Sequence, residues 1–189
     1  MIPWTTVYLA GIVAVALLRL GELWLARSHL LSLGDQAKVV EEPLFTAMVV
    51  LHVSFFVVIP LELWVGGASI GGAVSLISLI MLLLALCLRF WTLKTLGASW
   101  HVRVVIGGPI VSHGPYRFIK HPNYLVVILE MLSIPLIHHL YVSAVVLSLG
   151  NAWVLSRRMK NEEQALSQNP EWVKSMSHKP RLIPRWPHD

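Results

Sequence analysis

The sequence contains few cysteines and few charges, and each shortage excludes a class of protein. With Cys87 as its single cysteine, the 189-residue chain cannot form an intrachain disulfide, and we expect this thiol to be a small packing residue. Charged residues make up 13% of the chain and hydrophobic residues 56%, a composition that does not suit a soluble domain of this size. The mean hydropathy is +0.66. We therefore predict an integral membrane protein.

Several motifs of catalysis and metal binding are also missing. The chain has no GxSxG nucleophile motif, no P-loop, no heme-attachment CxxCH and no HExxH, and its nine histidines are scattered, so we predict no metal site. The formal net charge of +5 suits a membrane surface with anionic headgroups, and we do not predict nucleic-acid binding. The N-terminal residues lack a basic segment and a clear cleavage site, so we expect the first apolar run to be retained.

The long apolar runs predict an all-α membrane protein with five transmembrane helices. A hydrocarbon core of about 30 Å requires roughly 20 apolar residues per helix. We see no internal repeat and no long linker, so a single domain is expected over residues 1–189. The apolar run over 125–155 is too long for one crossing and is interrupted by Pro135, which favours a tight hairpin. The predicted spans are residues 7–25, 44–65, 70–93, 122–137 and 140–156, followed by a cytoplasmic tail over 157–189.

The positions of Lys and Arg predict the orientation, because these residues favour the cytoplasmic ends of membrane helices. With the N-terminus outside, 13 of the 15 basic residues fall in cytoplasmic segments, and the other two, Arg19 and Arg89, lie in the cytoplasmic halves of their spans. No Lys or Arg falls in the external segments, which are residues 1–6, 66–69 and 138–139. This pattern predicts an N-out, C-in arrangement with the functional pocket on the cytoplasmic side.

The cytoplasmic side holds three polar pieces, over roughly residues 26–43, 94–121 and 157–189. The first is interpreted as a solvated connector, with a gate over a cytoplasmic cavity as the alternative. In the third, Asn169-Pro170 is expected to end the last long helix. Trp172 and Trp186 are typical of a tail that lies at the membrane interface.

The segment from Leu96 to Tyr124 is too polar to cross the bilayer and rich in turn residues. Gly107-Gly108-Pro109 and Gly114-Pro115 fold the chain back twice. Pro122 suits the first position of a helix, which places its neighbours at a helix N-terminus that favours an anionic group. The alternatives for these residues are an aromatic belt for Tyr116 and Tyr124, a helix cap for His121, and topology signals for Arg117 and Lys120.

Acidic residues in and near the spans form a second group of candidates. Arg158 and Glu162 share one helix face, whereas Glu163 points about 100° away from Glu162; a surface salt bridge is the alternative interpretation of the pair. Glu62 and Glu130 lie within predicted spans, where ionisable groups are functional candidates by default. Glu130 is also a candidate to hold a neighbouring helix or to neutralise Arg89.

The combination of GPYRFIKHPNYL at residues 114–125, the acid Glu130 and Arg158-xxx-Glu162-Glu163 resembles the isoprenylcysteine carboxyl methyltransferase family. The resemblance covers residues from about Leu96 to the RxxxEE helix, and the first three spans by topology alone. It implies a membrane methyltransferase that uses S-adenosylmethionine without a soluble Rossmann-type domain. By this resemblance Arg158 and Glu162 are the catalytic residues, with Arg158 and Glu130 contacting the acceptor. The implied cofactor-binding residues are His101, Gly108, Pro109, Ile110, Val111, Tyr116, His121, Pro122, Asn123, Tyr124 and Glu162.

The resemblance leaves the methyl acceptor open. Family members that methylate isoprenylcysteine generally have a glutamine-like residue near position 101 and Ser at position 123, whereas this chain has His101 and Asn123. Small bacterial relatives methylate hydroxyls of lipid-like alkylpyrones or alkylresorcinols. We therefore expect a lipophilic acceptor or a prenylated substrate that enters from the bilayer. The alternatives are a phospholipid N-methyltransferase, a sterol-reductase-like enzyme that binds a nicotinamide cofactor, and a small transporter or scaffold.

Overall fold

Helices carry most of the chain, and their order follows the apolar runs of the sequence. The computed structural model describes residues 4–32, 38–40, 44–66 and 69–184. Two-residue strands β1 (Lys38–Val39) and β2 (Val105–Ile106) pair antiparallel. The helices are α1 (Trp4–Ser32), α2 (Phe45–Gly66), α3 (Gly72–Leu96), α4 (Pro122–Leu136), α5 (Tyr141–Leu166) and α6 (Pro170–Met176).

Three of these helices, α1, α2 and α3, are long and apolar enough to cross a membrane. Helix α4 is a shorter apolar helix. Large apolar side chains such as Leu17, Leu84 and Val146 are exposed on the helix surfaces, as expected where helices face lipid. The structure is thus that of an α-helical integral membrane protein, while the five-span count and the orientation stay predictions.

The helix ends agree with the local sequence signals. Helix α4 begins at Pro122, whose missing N–H costs nothing at this position. Helix α5 ends before Asn169-Pro170, as predicted, and Asn169 Oδ1 accepts a hydrogen bond from the Glu171 amide to cap α6. At the other end of α5, Glu62 of α2 accepts hydrogen bonds from the Val142 and Ser143 amides at 3.1 and 2.6 Å. Glu62 therefore caps a helix.

Small residues on the buried face of α3 determine how closely α4 packs against it. Ser75, Ser78 and Ala85 lie on this face, and small side chains permit close helix contact in membranes. The hydrophobic core lies between α1, α2, α4 and α5, and includes the residue that precedes α5. Its members are Ile12, Phe55, Ile59, Leu63, Met131, Ile134, Leu140 and Leu147.

Two sequence predictions about single residues are wrong. Cys87 is exposed on α3 and does not pack inside the protein. Trp172 is buried, with Lys120 Nζ 5.7 Å from its ring centroid, because α6 folds back against the segment that precedes α4. Trp186 lies outside the described residues. The segment between α1 and α2 is more than a solvated connector, since β1 pairs with β2 and the Val40 amide donates to the Val104 carbonyl at 2.9 Å.

Candidate active site

The polar segment before α4 and the far end of α5 come together in one cluster. Helix α5 continues about ten residues past the predicted limit of its span, and this extension carries the basic and acidic residues of the RxxxEE pattern. We call the cluster of Tyr116, His121, Tyr124, Arg158 and Glu162 the candidate site. Two of its members, His121 and Arg158, are buried. The structure therefore joins two sequence motifs that lie some 35 residues apart.

Glu162 is held by a neutral partner. The Tyr124 hydroxyl donates to Glu162 Oε2 at 2.5 Å, and His121 Nδ1 lies 3.9 Å from the same oxygen. Among the described residues, no Lys or Arg nitrogen lies within 4 Å of the Glu162 carboxylate. Burial and the charge of Glu162 raise the pKa of Tyr116. The carboxylate thus contacts a phenol and lies near an imidazole.

Arg158 lies on α5 one turn before this carboxylate and lines the same cleft. Its guanidinium donates to the Val102 carbonyl, contacts the sulfur of Met48 and lies 5.7 Å from the ring centroid of Tyr124. Arg158 and Glu162 do not pair with each other, so the surface salt bridge considered from sequence is not formed. Both line a cleft whose other lining residues are Val40, Leu44, Val104 and Asn161.

Glu163 takes a separate set of partners, as its direction on the helix predicts. His121 Nε2 lies 3.0 Å from Glu163 Oε1, and the Arg181 guanidinium donates to both oxygens at 2.9 Å. The imidazole of His121 therefore lies between two adjacent acids, and it also stacks on Tyr124 with ring centroids 5.1 Å apart. This arrangement determines the orientation of the His121 ring.

The N-terminus of α4 has fewer free backbone amides for binding an anion than the sequence predicts. The His121 amide donates to the Arg181 carbonyl at 3.0 Å, and the Tyr124 and Leu125 amides donate to the His121 carbonyl at 3.1 and 3.2 Å. The prediction of free amides that bind an anionic group is wrong for these three positions, because the chain itself satisfies them. Pro122 is fully buried and has no amide to offer.

The loop that carries the remaining predicted cofactor residues borders the cleft at one end. His101 precedes Val102, whose carbonyl binds Arg158, and His101 Nε2 is buried with no hydrogen-bond partner among the described residues. Burial lowers the pKa of His101, although a backbone hydrogen bond at Ser99 opposes the shift. Gly108, Pro109, Ile110 and Val111 lie partly exposed between β2 and Gly114, and no hydrogen bond connects them to Glu162.

Gly114 is required at the turn that leads into Tyr116. Its φ is +59°, a conformation that L side chains rarely adopt, and a Cβ at this position would clash with the side chain of Thr95 on α3. The glycine therefore lets this turn lie directly against α3. Lys179 strengthens the same turn by donating to the Tyr116 carbonyl at 2.7 Å.

A second cluster of charges lies among the membrane helices, and Glu130 belongs to it. Arg19 pairs with Glu22 at 2.8 Å and with Glu130 at 2.5 Å. Arg89 donates from Nε to Glu22 at 2.6 Å and lies 3.9 Å from Glu130. We call these four residues the membrane charge cluster. Glu130 thus neutralises Arg89 only in part, and its closer partner is Arg19.

Asn123 connects the two clusters. Its Oδ1 accepts a weak hydrogen bond from Arg89 at 3.4 Å, while the next residue, Tyr124, binds Glu162. The membrane charge cluster also borders an apolar groove between α1, α2 and α4. The groove is lined by Val15, Arg19, His52, Phe55, Phe56, Val127, Glu130, Met131 and Ile134.

Sequence reasoning missed several residues that shape these clusters. Arg19 and Glu22 are three apart within an apolar run, a spacing that places both on one helix face and signals an intramembrane pair. Lys179 and Arg181 carried no comparable signal, because their contacts depend on the fold of the tail. Met48 gave no signal either, since an isolated methionine in an apolar helix is typical of a core.

Comparison with known proteins identifies the family. Residues 76–168 match the model of the isoprenylcysteine carboxyl methyltransferase (ICMT) family, a region that contains the whole candidate site. The chain is also similar to the uncharacterized protein YpbQ of Bacillus subtilis (strain 168). The two are 34% identical over 133 residues, which cover 64% of this chain and 73% of the relative.

Proposed function

The chain belongs to the isoprenylcysteine carboxyl methyltransferase family, and from this premise we propose that it is an S-adenosylmethionine-dependent O-methyltransferase acting on a lipophilic acceptor. The observation that supports the proposal most directly is the carboxylate of Glu162, which has no Lys or Arg nitrogen within 4 Å among the described residues and lies beside a cleft that Arg158 also lines. An uncompensated acid in such a place favours a cationic ligand.

The residues of the candidate site fit this cofactor. S-adenosylmethionine carries a transferable methyl group on a positively charged sulfur. The Glu162 carboxylate accepts hydrogen bonds or neutralises positive charge, and the stacked rings of His121 and Tyr124 offer aromatic faces beside it. The buried Nε2 of His101 is a polar atom that still lacks a partner in the described chain. We propose that these residues bind the cofactor together with Tyr116, Pro122, Asn123 and the 108–111 loop.

Arg158 is proposed to bind and orient the acceptor. Its guanidinium is held by the Val102 carbonyl and by Tyr124, so its position is defined before an acceptor arrives. A carboxylate acceptor is already ionised at neutral pH and suits a forked pair of hydrogen bonds from Arg158. A phenol-like hydroxyl, with a pKa near 10, must give its proton to a base such as solvent water, and the same guanidinium stabilises the phenolate oxygen that forms.

The acceptor is proposed to reach Arg158 from the bilayer along the apolar groove. Met48 contacts Arg158, and His52 stands one turn further along α2 on the groove wall. Val127 continues the same face of α4 one turn after Tyr124. The lipophilic part of the acceptor then packs against apolar side chains, with Glu130 at the polar end of the groove. The acceptor is an isoprenylcysteine-type carboxylate or an alkylpyrone- or alkylresorcinol-type hydroxyl.

The same proposal places the reaction on the cytoplasmic side of the membrane. Arg158 and Glu162 lie on the part of α5 that extends beyond its apolar half, and Lys and Arg residues concentrate in the segments around them. This distribution supports five spans with the N-terminus outside. A transporter is expected to line a path through the bilayer with polar groups, whereas the four charges of the membrane charge cluster pair with one another.

A labelled-methyl assay tests the proposal. The purified protein in lipid nanodiscs is incubated with S-adenosylmethionine carrying a radiolabelled methyl group and with either a farnesylcysteine analogue or an alkylpyrone. We expect label in the product of one acceptor, and none with the Glu162→Gln protein. Label on phosphatidylethanolamine would instead support the phospholipid N-methyltransferase alternative. Binding of NADPH without binding of S-adenosylmethionine would overturn the proposal in favour of a reductase.

A further inference from the structure

The last described residues of the chain return to the candidate site and pair with it. We call residues 177–184, which follow α6, the C-terminal strap. The Lys120 amide donates to the Pro180 carbonyl at 2.9 Å, and the His121 amide donates to the Arg181 carbonyl at 3.0 Å. The strap therefore makes two backbone hydrogen bonds to the two residues that immediately precede α4.

Two side chains fasten the strap on either side of this pairing. Arg181 donates from its guanidinium to both oxygens of Glu163 at 2.9 Å, a forked geometry that fixes orientation as well as distance. Lys179 Nζ donates to the Tyr116 carbonyl at 2.7 Å and to the Ser112 carbonyl at 3.4 Å. The strap thus touches the backbone around Tyr116 and His121, which are both candidate-site residues.

The Arg181–Glu163 ion pair holds the carboxylate that binds the His121 ring. The imidazole of His121 binds Glu163 through Nε2 at 3.0 Å and faces Glu162 through Nδ1 at 3.9 Å. Without Arg181, the Glu163 carboxylate keeps two partners among the described residues, Lys120 at 3.9 Å and His121 at 3.0 Å. The carboxylate is then free to rotate, and the ring that stacks on Tyr124 loses its fixed partner.

We propose that Arg181 is a positioning residue of the methyl-transfer site, acting through Glu163 to fix the His121 ring beside Tyr124 and Glu162. This inference rests on the proposed function. The strap lies outside the region that matches the family, which ends at residue 168, and the RxxxEE pattern ends at Glu163. Arg181 reaches no part of the cleft itself, so its contribution is to orientation.

Calorimetric binding of S-adenosylmethionine to the purified protein tests the inference without requiring an acceptor. We expect Arg181→Met to weaken binding about fivefold, less than the full value of a charged hydrogen bond because Arg181 is 45% exposed and partly screened. Arg181→Lys retains the charge but loses the fork, and we expect an intermediate loss. Lys174→Met removes an exposed positive charge from α6 and serves as the matched control, with unchanged affinity.

A double-variant comparison separates positioning from general stabilisation. Glu163→Gln is expected to weaken cofactor binding to a similar extent. The Arg181→Met/Glu163→Gln protein should bind the cofactor no more weakly than the worse single variant, because both changes break the same ion pair. Additive losses, or variants that melt at lower temperature but bind the cofactor as tightly as wild type, would overturn the inference. In turnover assays the change should appear in KM for the cofactor and leave KM for the acceptor unchanged.

The wild-type protein distinguishes failure of this inference from failure of the proposed function. If wild type binds S-adenosylmethionine and Arg181→Met binds it equally well, the strap has no positioning role and the proposed function is unaffected. If wild type binds none, the proposed function fails, and the inference fails with it.

Discussion

The membrane charge cluster and the candidate site are built from the same residue types but differ in how their acids are compensated. In the membrane charge cluster, Glu22 and Glu130 each lie within 4 Å of two arginines, Arg19 and Arg89. In the candidate site, Glu162 binds the neutral hydroxyl of Tyr124. In the first cluster each acid lies within ion-pair distance of arginines, whereas in the second the Glu162 carboxylate lines a cleft with a phenol as its closest partner.

This difference distinguishes a structural role from a chemical one more clearly than residue type does. A buried acid that is fully paired holds helices together, because any loss of a partner leaves an isolated charge in a poorly solvated place. An acid with a neutral partner beside a cleft can exchange that partner for a ligand. Glu130, which the sequence presents as a functional candidate, belongs first to the structural group, although it also borders the apolar groove.

The largest expected effect is the loss of methyl transfer in Glu162→Gln. The amide retains the shape of the side chain but removes the charge that we assign to cofactor binding, and we expect kcat/KM to fall about 100-fold or more. The melting temperature in detergent should change little, since Glu162 has no cationic partner among the described residues to lose. Arg158→Lys should behave similarly, because lysine lacks the planar fork.

Glu171→Gln is the control for this experiment, since Glu171 is an exposed acid on α6. We expect it to transfer methyl groups at the wild-type rate. Wild-type turnover in both Glu162→Gln and Arg158→Lys would remove the assigned site.

Glu22→Gln should lower stability and leave turnover nearly unchanged, the opposite of the result expected for Glu162→Gln. This change leaves Arg19 and Arg89 sharing the single acid Glu130, and breaking a buried pair in this way costs about 3 kcal/mol of stability. We expect a clear fall in melting temperature, measured by thermal unfolding in detergent. Turnover per folded molecule should stay within about twofold of wild type, because Glu22 does not touch the candidate site. A protein of normal stability that has lost activity would contradict this division of roles.

Much of the helical framework follows from the sequence because its signals are local. The start of α4 at Pro122 and the end of α5 before Asn169-Pro170 depend on the backbone chemistry of proline and asparagine at helix ends. The same reasoning places Arg158 and Glu162 on one face of one helix. Such signals do not depend on the rest of the chain.

The contacts that complete the candidate site could not be predicted in the same way. The Arg181–Glu163 pair joins residues 18 apart across a turn and a short helix, and the Tyr124–Glu162 hydrogen bond joins residues 38 apart. The helix end at His121 looked open to an anion because the sequence does not reveal that the Arg181 carbonyl accepts its amide. Pairings of this kind are determined by tertiary packing.

The smallest predicted effect concerns pH and the C-terminal strap. Burial alone raises the pKa of Glu163, but hydrogen bonds from Arg181 and His121, with the charges of Lys120 and His121, outweigh it and leave the pKa below its ordinary value. A lowered pKa in the folded state means that the pair stabilises the strap above the ordinary glutamate pKa of about 4.3. This stabilisation is lost as the pH falls through the lowered value.

Spin labels at positions 117 and 178 of a Cys87→Ser protein measure this release as a change in the distance distribution, since Arg117 and His178 are both exposed. We expect a narrow distribution at pH 7 and a broader one at pH 3, at unchanged helix content. Glu163→Gln should broaden it already at pH 7 and remove most of the pH dependence, because Arg181 then has no titrating acid as an ion-pair partner among the described residues. A distribution equally narrow at both pH values would show that the main-chain pairing at Lys120 and His121 holds the strap without the ion pair. In that case ion pairs would be needed for stability in the membrane charge cluster and would not be needed to hold the C-terminal strap at the candidate site.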